Sequence, residues 1–228
     1  THAGQDRAET ITPDDDRVEL EPTTGNYLSP QWTEAGVYHV VEDHLVLEDE
    51  AAVRVPVAQV SGLTTFVANP RGDLVAMQST RGDLDGLTAS TEDLPAVRAD
   101  AVVVVDVASS DSHLVDNGLS LGFFWSPDGD SLLVLTTTEN GVVPIVWKAA
   151  GDREEFVVYQ PIRSMLQDTF PFFPQYAQSV SFWSPDSSAF AYAGTVDGQS
   201  GVWVQPLDGA TPMRVSDGSW VAWSAGHP

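Results

Sequence analysis

The chain has 228 residues, 42% of them hydrophobic, enough for one sizeable core or two small ones. Thirty-three acidic residues face ten basic ones, a net charge of −23 with Lys148 the single lysine, which excludes phosphate-backbone binding and attraction to anionic membrane surfaces. No apolar run approaches the ~18 residues of a membrane helix, and with no cysteine there is neither a disulfide framework nor a thiolate metal site.

In chain order, residues 1–16 are polar and acidic, with Asp14-Asp15-Asp16, and read as a flexible N-terminal arm. The first residue is Thr1, so a processed or excised chain is expected. Arg17 to Glu21 could form one strand that joins the sheet of the last repeat. From there a recurring unit takes over. Trp32-Thr33-Glu34-Ala35-Gly36 precedes the apolar run Val37 to Val41, and strands are expected at His44 to Leu47 and Val53 to Val57. Ala68-Asn69-Pro70-Arg71-Gly72 precedes Leu74 to Met77, with a strand at Ala101 to Val107. Trp125-Ser126-Pro127-Asp128-Gly129 precedes Leu132 to Leu135, with strands at Pro144 to Trp147 and Glu155 to Tyr159. Trp183-Ser184-Pro185-Asp186-Ser187 precedes Ala189 to Tyr192, with strands at Val202 to Val204 and Met213 to Val215. A last copy begins at Trp223.

The copies start at 32, 68, 125, 183 and 223, and such spacings mark propeller blades or solenoid units. The motif has a physical logic. An apolar strand ends at an aromatic residue. Pro then presets φ for a tight turn, Asp accepts from nearby amides, and Gly takes positive φ before the next strand. Each unit reads as about four short strands. The one helix candidate, Pro161 to Asp168, is short.

The segments Phe124 to Leu135, Phe182 to Ala193 and Gly201 to Gly209 resemble the TolB-like β-propeller family, with its WD40-like Pro-Asp repeat. The resemblance runs over residues 28 to 228 and implies an all-β fold: a propeller of four-stranded antiparallel blades, about five of them or a fragment of a larger propeller. The propeller domain is expected over 17–228. In this reading Trp125, Pro127, Asp128, Gly129, Trp183, Pro185 and Asp186 are structural turn residues, and the tryptophans are inter-blade packing. A fold of this kind does not by itself assign an activity.

Two insertions interrupt the repeat, Ser79 to Asp100 and Gln160 to Tyr176. The second carries Phe170, Phe172, Phe173 and Tyr176 among prolines, an aromatic cluster suited either to fill a gap between blades or to meet a partner.

Several motifs suggest chemistry that their context withholds. Gly118-Leu119-Ser120-Leu121-Gly122 matches the nucleophile-elbow pattern, yet it runs straight into a strand, and no catalytic residues are assigned. His39 and His44 suggest a metal pair. On one continuous strand they would point to opposite faces, Asp43 sharing the side of His39 and Glu42 that of His44. Arg71-Gly72-Asp73 and Arg81-Gly82-Asp83 are short adhesive-type tripeptides in turn or loop context. Asp128, Asp130 and Asp14 to Asp16 could take Ca²⁺ through oxygen ligands, although turn chemistry accounts for the first two; no other metal or cofactor is expected.

The leading expectation is a non-catalytic extracytoplasmic module, periplasmic, surface-bound or secreted. It binds a protein or peptide through its loops, and a membrane-anchored complex is compatible with this. The alternatives are the gating propeller of a larger hydrolase of the prolyl-oligopeptidase type, and a small-ligand or glycan sensor using the central channel.

Overall fold

The computed structural model describes residues 9–11, 17–19, 29–42, 44–60, 64–79, 100–176, 178, 180 and 182–223, with the backbone alone at 9–11, 17–19, 79 and 176. Strands β1 (Glu9–Ile11) and β2 (Arg17–Glu19) pair with each other, Thr10 opposite Val18. This strand at Arg17 therefore pairs within the arm and not with the sheet of the last repeat.

Among the described residues four four-stranded antiparallel sheets follow, one for each of the copies that start at 32, 68, 125 and 183. The first blade is β3 (Gln31–Thr33), β4 (Gly36–Val41), β5 (His44–Glu48) and β6 (Arg54–Gln59). The second is β7 (Thr64–Ala68), β8 (Leu74–Ser79), β9 (Val102–Asp106) and β10 (Ser112–Asp116). The third is β11 (Ser120–Trp125), β12 (Ser131–Thr138), β13 (Gly141–Lys148) and β14 (Arg153–Glu155). The fourth is β15 (Gln160–Pro161), β16 (Ala189–Val196), β17 (Gln199–Pro206) and β18 (Met213–Ser216). Each sheet is a simple meander in sequence order. The insertion at 80–99, with Arg81-Gly82-Asp83, lies outside the described residues.

Period-2 alternation explains how the blades stack. In the second blade Leu74, Ala76, Val102 and Val104 join the core shared with the third and fourth blades. Their neighbours Val75, Met77, Val103 and Val105 join the core shared with Tyr38, Val40, Leu45 and Leu47 of the first. Both faces are buried, so Ala101 to Val105 reads as an unbroken apolar run and not as an alternating one. Each such side chain, fully buried, contributes roughly 1.5–3 kcal/mol.

The expected strand Glu155 to Tyr159 differs. Strand β14 ends at Glu155; Phe156 donates its amide to Pro144 O, but Tyr159 pairs with Val142, leaving one extra residue between them. That bulge turns Val157 and Val158 outward.

The repeat turns match their sequence logic. In the third blade Ser126 Oγ donates to Asp128 Oδ1 at 2.5 Å and accepts from Ser131 N at 2.9 Å, while Asp130 N donates to Asp128 Oδ1 at 3.0 Å. Pro127 leads the turn, and Gly129 follows with φ +74°. The fourth blade repeats the scheme through Ser184, Pro185 and Asp186, with Ser188 donating twice to Asp186 Oδ1. Ser187 takes φ +59° where the third blade has glycine. Its hydroxyl accepts the Asp128 amide at 3.2 Å, an inter-blade bond glycine could not make. In the second blade Asn69 alone does the work of Ser and Asp: its Oδ1 accepts the amides of Gly72, Asp73 and Leu74.

Candidate functional site

The inner strands lock to one another by one repeated bond. The Trp125 indole donates to Val67 O at 2.9 Å, Trp183 to Phe124 O at 2.8 Å, and Trp223 to Phe182 O at 2.8 Å. Each tryptophan thus holds the carbonyl just before the motif position of the preceding blade. The second blade has Ala68 at that position, and the direction reverses: Gln31 of the first blade donates to Phe66 O and accepts from Ala68 N.

The inner strand of the fourth blade is split. At one end Gln160 and Pro161 pair with Thr195 and Gly194, and Ile162 N reaches Ala193 O. At the other end Ala191 N donates to Phe182 O and Trp183 bridges Phe190. The chain therefore leaves the innermost strand after Ile162 and re-enters it at Phe182, with only Tyr192 of β16 between the two places. The helix expected at Pro161 to Asp168 starts later and runs further, as helical turns through residue 176. Its winding changes along its length, from a wide π-helical turn over Met165–Thr169 through a tight 3-10 turn at Phe170–Phe172 to a single α turn at Phe173–Tyr176. Pro171 and Pro174 lack the amide that a continuous α ladder needs, so the pitch changes at each of them.

The aromatic residues divide by role. Phe170 and Phe173 are buried, whereas Phe172 is 47% exposed; the side chain of Tyr176 lies outside the described residues. Phe173 meets Phe123 and Phe124 of β11 edge-on, with ring centroids 4.9 and 5.2 Å away. It sits over Gly122, where an added Cβ would lie 3.1 Å from its ring and 3.0 Å from that of Phe124. Gly122 belongs to a bulge in β11, between Ser120 opposite Thr136 and Phe123 opposite Val134. Two further bonds tie the segment down: Ser164 Oγ donates to Ser219 O at 3.1 Å, and Gln178 Nε2 to Trp32 O at 3.4 Å.

Under this segment lies an apolar cavity of about 260 Å³ lined by Phe124, Thr169, Phe170, Phe173 and Val180, with Asp168, Phe172 and Trp220 at its edge. A second hollow of about 400 Å³ adjoins it, sharing Phe124 and Val180 and bounded by Trp32, Pro70, Pro127 and Gln178. Trp220, 59% exposed, and Trp32 are thus not inter-blade packing, unlike Trp125, Trp183 and Trp223.

No protein-family model and no curated protein matches the chain by sequence. Solved structures do match by shape. A TolB from Acinetobacter baumannii is similar at a TM-score of 0.51 and 12% identity, over 92% of this chain and 48% of that one. A TolB-type protein from Agrobacterium tumefaciens gives 0.50 and 15%, over 91% of this chain and 68% of that one. The fold is a TolB-like β-propeller.

In this TolB-like propeller the motifs that suggested chemistry are taken up by structure. Ser120 lies in β11 and donates to Gln78 Oε1 at 3.0 Å, in a strand and not in a strand-to-helix elbow. His39 and His44 are on two strands of one hairpin, not on one strand. Val41 pairs with His44 and lies two residues from His39, so both histidines share a face, which corrects the expectation of opposite faces. His39 Nε2 meets Glu48 Oε2 at 3.1 Å, and Arg54 Nε reaches the same oxygen at 2.6 Å. Burial raises the Glu48 pKa, but the bonds from Arg54 and His39 outweigh it and the net shift is downward. Asp43 lies outside the described residues, and among the described residues no three His, Asp or Glu come together as metal ligands.

Arg71 is bound into the turns. It reaches Asp130 Oδ1 at 2.8 Å, Asp128 O at 2.5 Å and Asp73 Oδ2 at 3.3 Å, tying the second blade to the third. Desolvation raises the Asp128 pKa, but bonds from Ser126, the Asp130 amide and Ser187, with the Arg71 charge, carry it below the usual carboxylate range. Asp186 is held at about 2, chiefly by the hydroxyls of Ser184 and Ser188. Asp14 to Asp16 lie outside the described residues.

Proposed function

We propose that this propeller is a non-catalytic extracytoplasmic module that binds a protein or peptide through the aromatic segment inserted in its fourth blade. The observation that carries the reading is the split between Phe172 and its neighbours. Phe170, against Phe182, and Phe173, against β11, are buried in holding the segment down, while Phe172 and Trp220 stand open at the edge of an apolar cavity. Large exposed aromatic side chains on a well-anchored segment supply contact area at small entropic cost, the character of interface hot spots. The adjoining hollow at Trp32 extends the surface across the inner strands, a shape that suits an extended peptide. The likeness to two TolB structures supports the extracytoplasmic place.

The test is selection of peptides from a random display library on the whole chain. Enriched peptides should lose at least tenfold in affinity against Phe172→Ala and Trp220→Ala, with thermal unfolding of the variants unchanged. Peptides that bind both variants as tightly as the parent would place the binding surface elsewhere.

A further inference from the structure

We propose that the cavity under Phe172 and Trp220 receives a basic side chain of the partner, lysine or arginine, with its methylene stem along the phenylalanine rings and its charged head at Asp168. This rests on the binding reading above and names the chemistry that the site selects.

Three observations lead there. The first is the lining. Phe124, Phe170, Phe172, Phe173 and Trp220 bring five aromatic rings around one volume, and the single ionised group at its edge is a carboxylate. Aromatic faces carry negative quadrupole density, so such a box attracts a cation with an apolar body above a neutral group of equal shape.

The second is that the carboxylate is uncommitted among the described residues. Asp168 forms no ion pair among the described residues. The one cationic residue of the inserted segment, Arg163, is turned to Gln167 Oε1 at 2.9 Å. Arg54, Arg71, Arg153 and Arg214 bond acidic side chains or carbonyls at the turns and outer strands, as Arg71 does with Asp130 and Arg153 with Asp116 and Glu155. Among the described residues no lysine or arginine lines the cavity.

The third is size and field. About 260 Å³ is room for one long side chain and below the usual range of roughly 300–1,000 Å³ for small-molecule sites. A net charge of −23 raises the local concentration of cationic segments and repels anionic ones. A lysine or arginine stem buries its methylenes while the head stays at the wet edge, which is where Asp168 stands.

The experiment compares two probes with the same four-carbon stem on the whole chain by NMR titration and tryptophan fluorescence: Nα-acetyl-lysine methylamide and Nα-acetyl-norleucine methylamide. They share stem length and differ in the charged head. The lysine probe should bind about two- to fivefold tighter, the range of a partly exposed cation–aromatic contact. Asp168→Asn should narrow that ratio, 0.5 M NaCl should do the same, and Phe172→Ala should weaken both probes. Equal or tighter binding of the norleucine probe would overturn the proposal while leaving an apolar peptide site intact. Binding of neither probe, with library peptides still dependent on Phe172, would overturn it as well. Loss of the Phe172 dependence itself is the separate failure of the binding reading.

Discussion

The inner strands of the third and fourth blades start from the same motif and end in different states. In β11 the strand is continuous, with a bulge at Leu121-Gly122 across from Leu135. In the fourth blade the chain leaves within one residue of the matching place, after Ile162 opposite Ala193, and returns at Phe182 opposite Ala191. The two places meet, because Phe173 of the insertion packs over Gly122 of the bulge. A propeller blade tolerates an insertion in its innermost strand when both halves keep their rungs and the tryptophan–carbonyl bond at the strand end is untouched. The repeat then does structural work, and the surplus residues are free for recognition.

Substitutions at the two strands break or sharpen that contrast. Trp183→Ala should have the largest effect, about 3–5 kcal/mol in urea unfolding, because it empties a buried position and orphans Phe124 O. If the variant kept parental stability, the indole bonds would not be what joins the blades. Phe173→Ala should cost about 3 kcal/mol or somewhat less, since the insertion can settle into part of the space. Hydrogen exchange should show protection lost in 163–176 before the third blade responds. Gly122→Val should destabilise by roughly 1–3 kcal/mol through overpacking against Phe124 and Phe173, and a crystal structure should show the Phe173 ring displaced.

The smaller effects belong to the turns and the rim. Asp186 has its pKa depressed from the ordinary carboxylate range to about 2 by the Ser184 and Ser188 hydroxyls, so its charge supports the folded state above the unfolded value, and that support is lost as pH falls toward 2. Denaturant midpoints measured between pH 5 and 2 should fall less steeply in Asp186→Asn than in the parent; parallel curves would remove the turn from the acid response. Phe172→Ala should change stability by no more than about 0.5 kcal/mol, because the ring is exposed, and a larger loss would mean that Phe172 is a packing residue like Phe173.

Much of the blade structure was legible beforehand because it rests on local rules. Ser126-Pro127-Asp128-Gly129 specifies its own turn by hydrogen bonds within a few residues, and Leu132 to Leu135 follows as strand whatever lies beyond. The aromatic segment was visible as composition. Its division into buried Phe170 and Phe173 and open Phe172 was not, since that depends on where β11 runs. Trp220 and Asp168 carried no signal of their own: a tryptophan among tryptophans and one aspartate among many acidic residues.

Sequence by itself determined the repeat, the chemistry of the turns and the all-β class, because turn geometry and strand alternation are encoded within a few residues of each position. Tertiary structure alone decided that Arg71 joins two blades, and that the segment after Ile162 interrupts an innermost strand and covers a cavity. Those outcomes turn on contacts between residues far apart in the chain, such as Gln178 with Trp32 and Trp183 with Phe124. Packing of one blade on the next selects such contacts, and no local pattern records them.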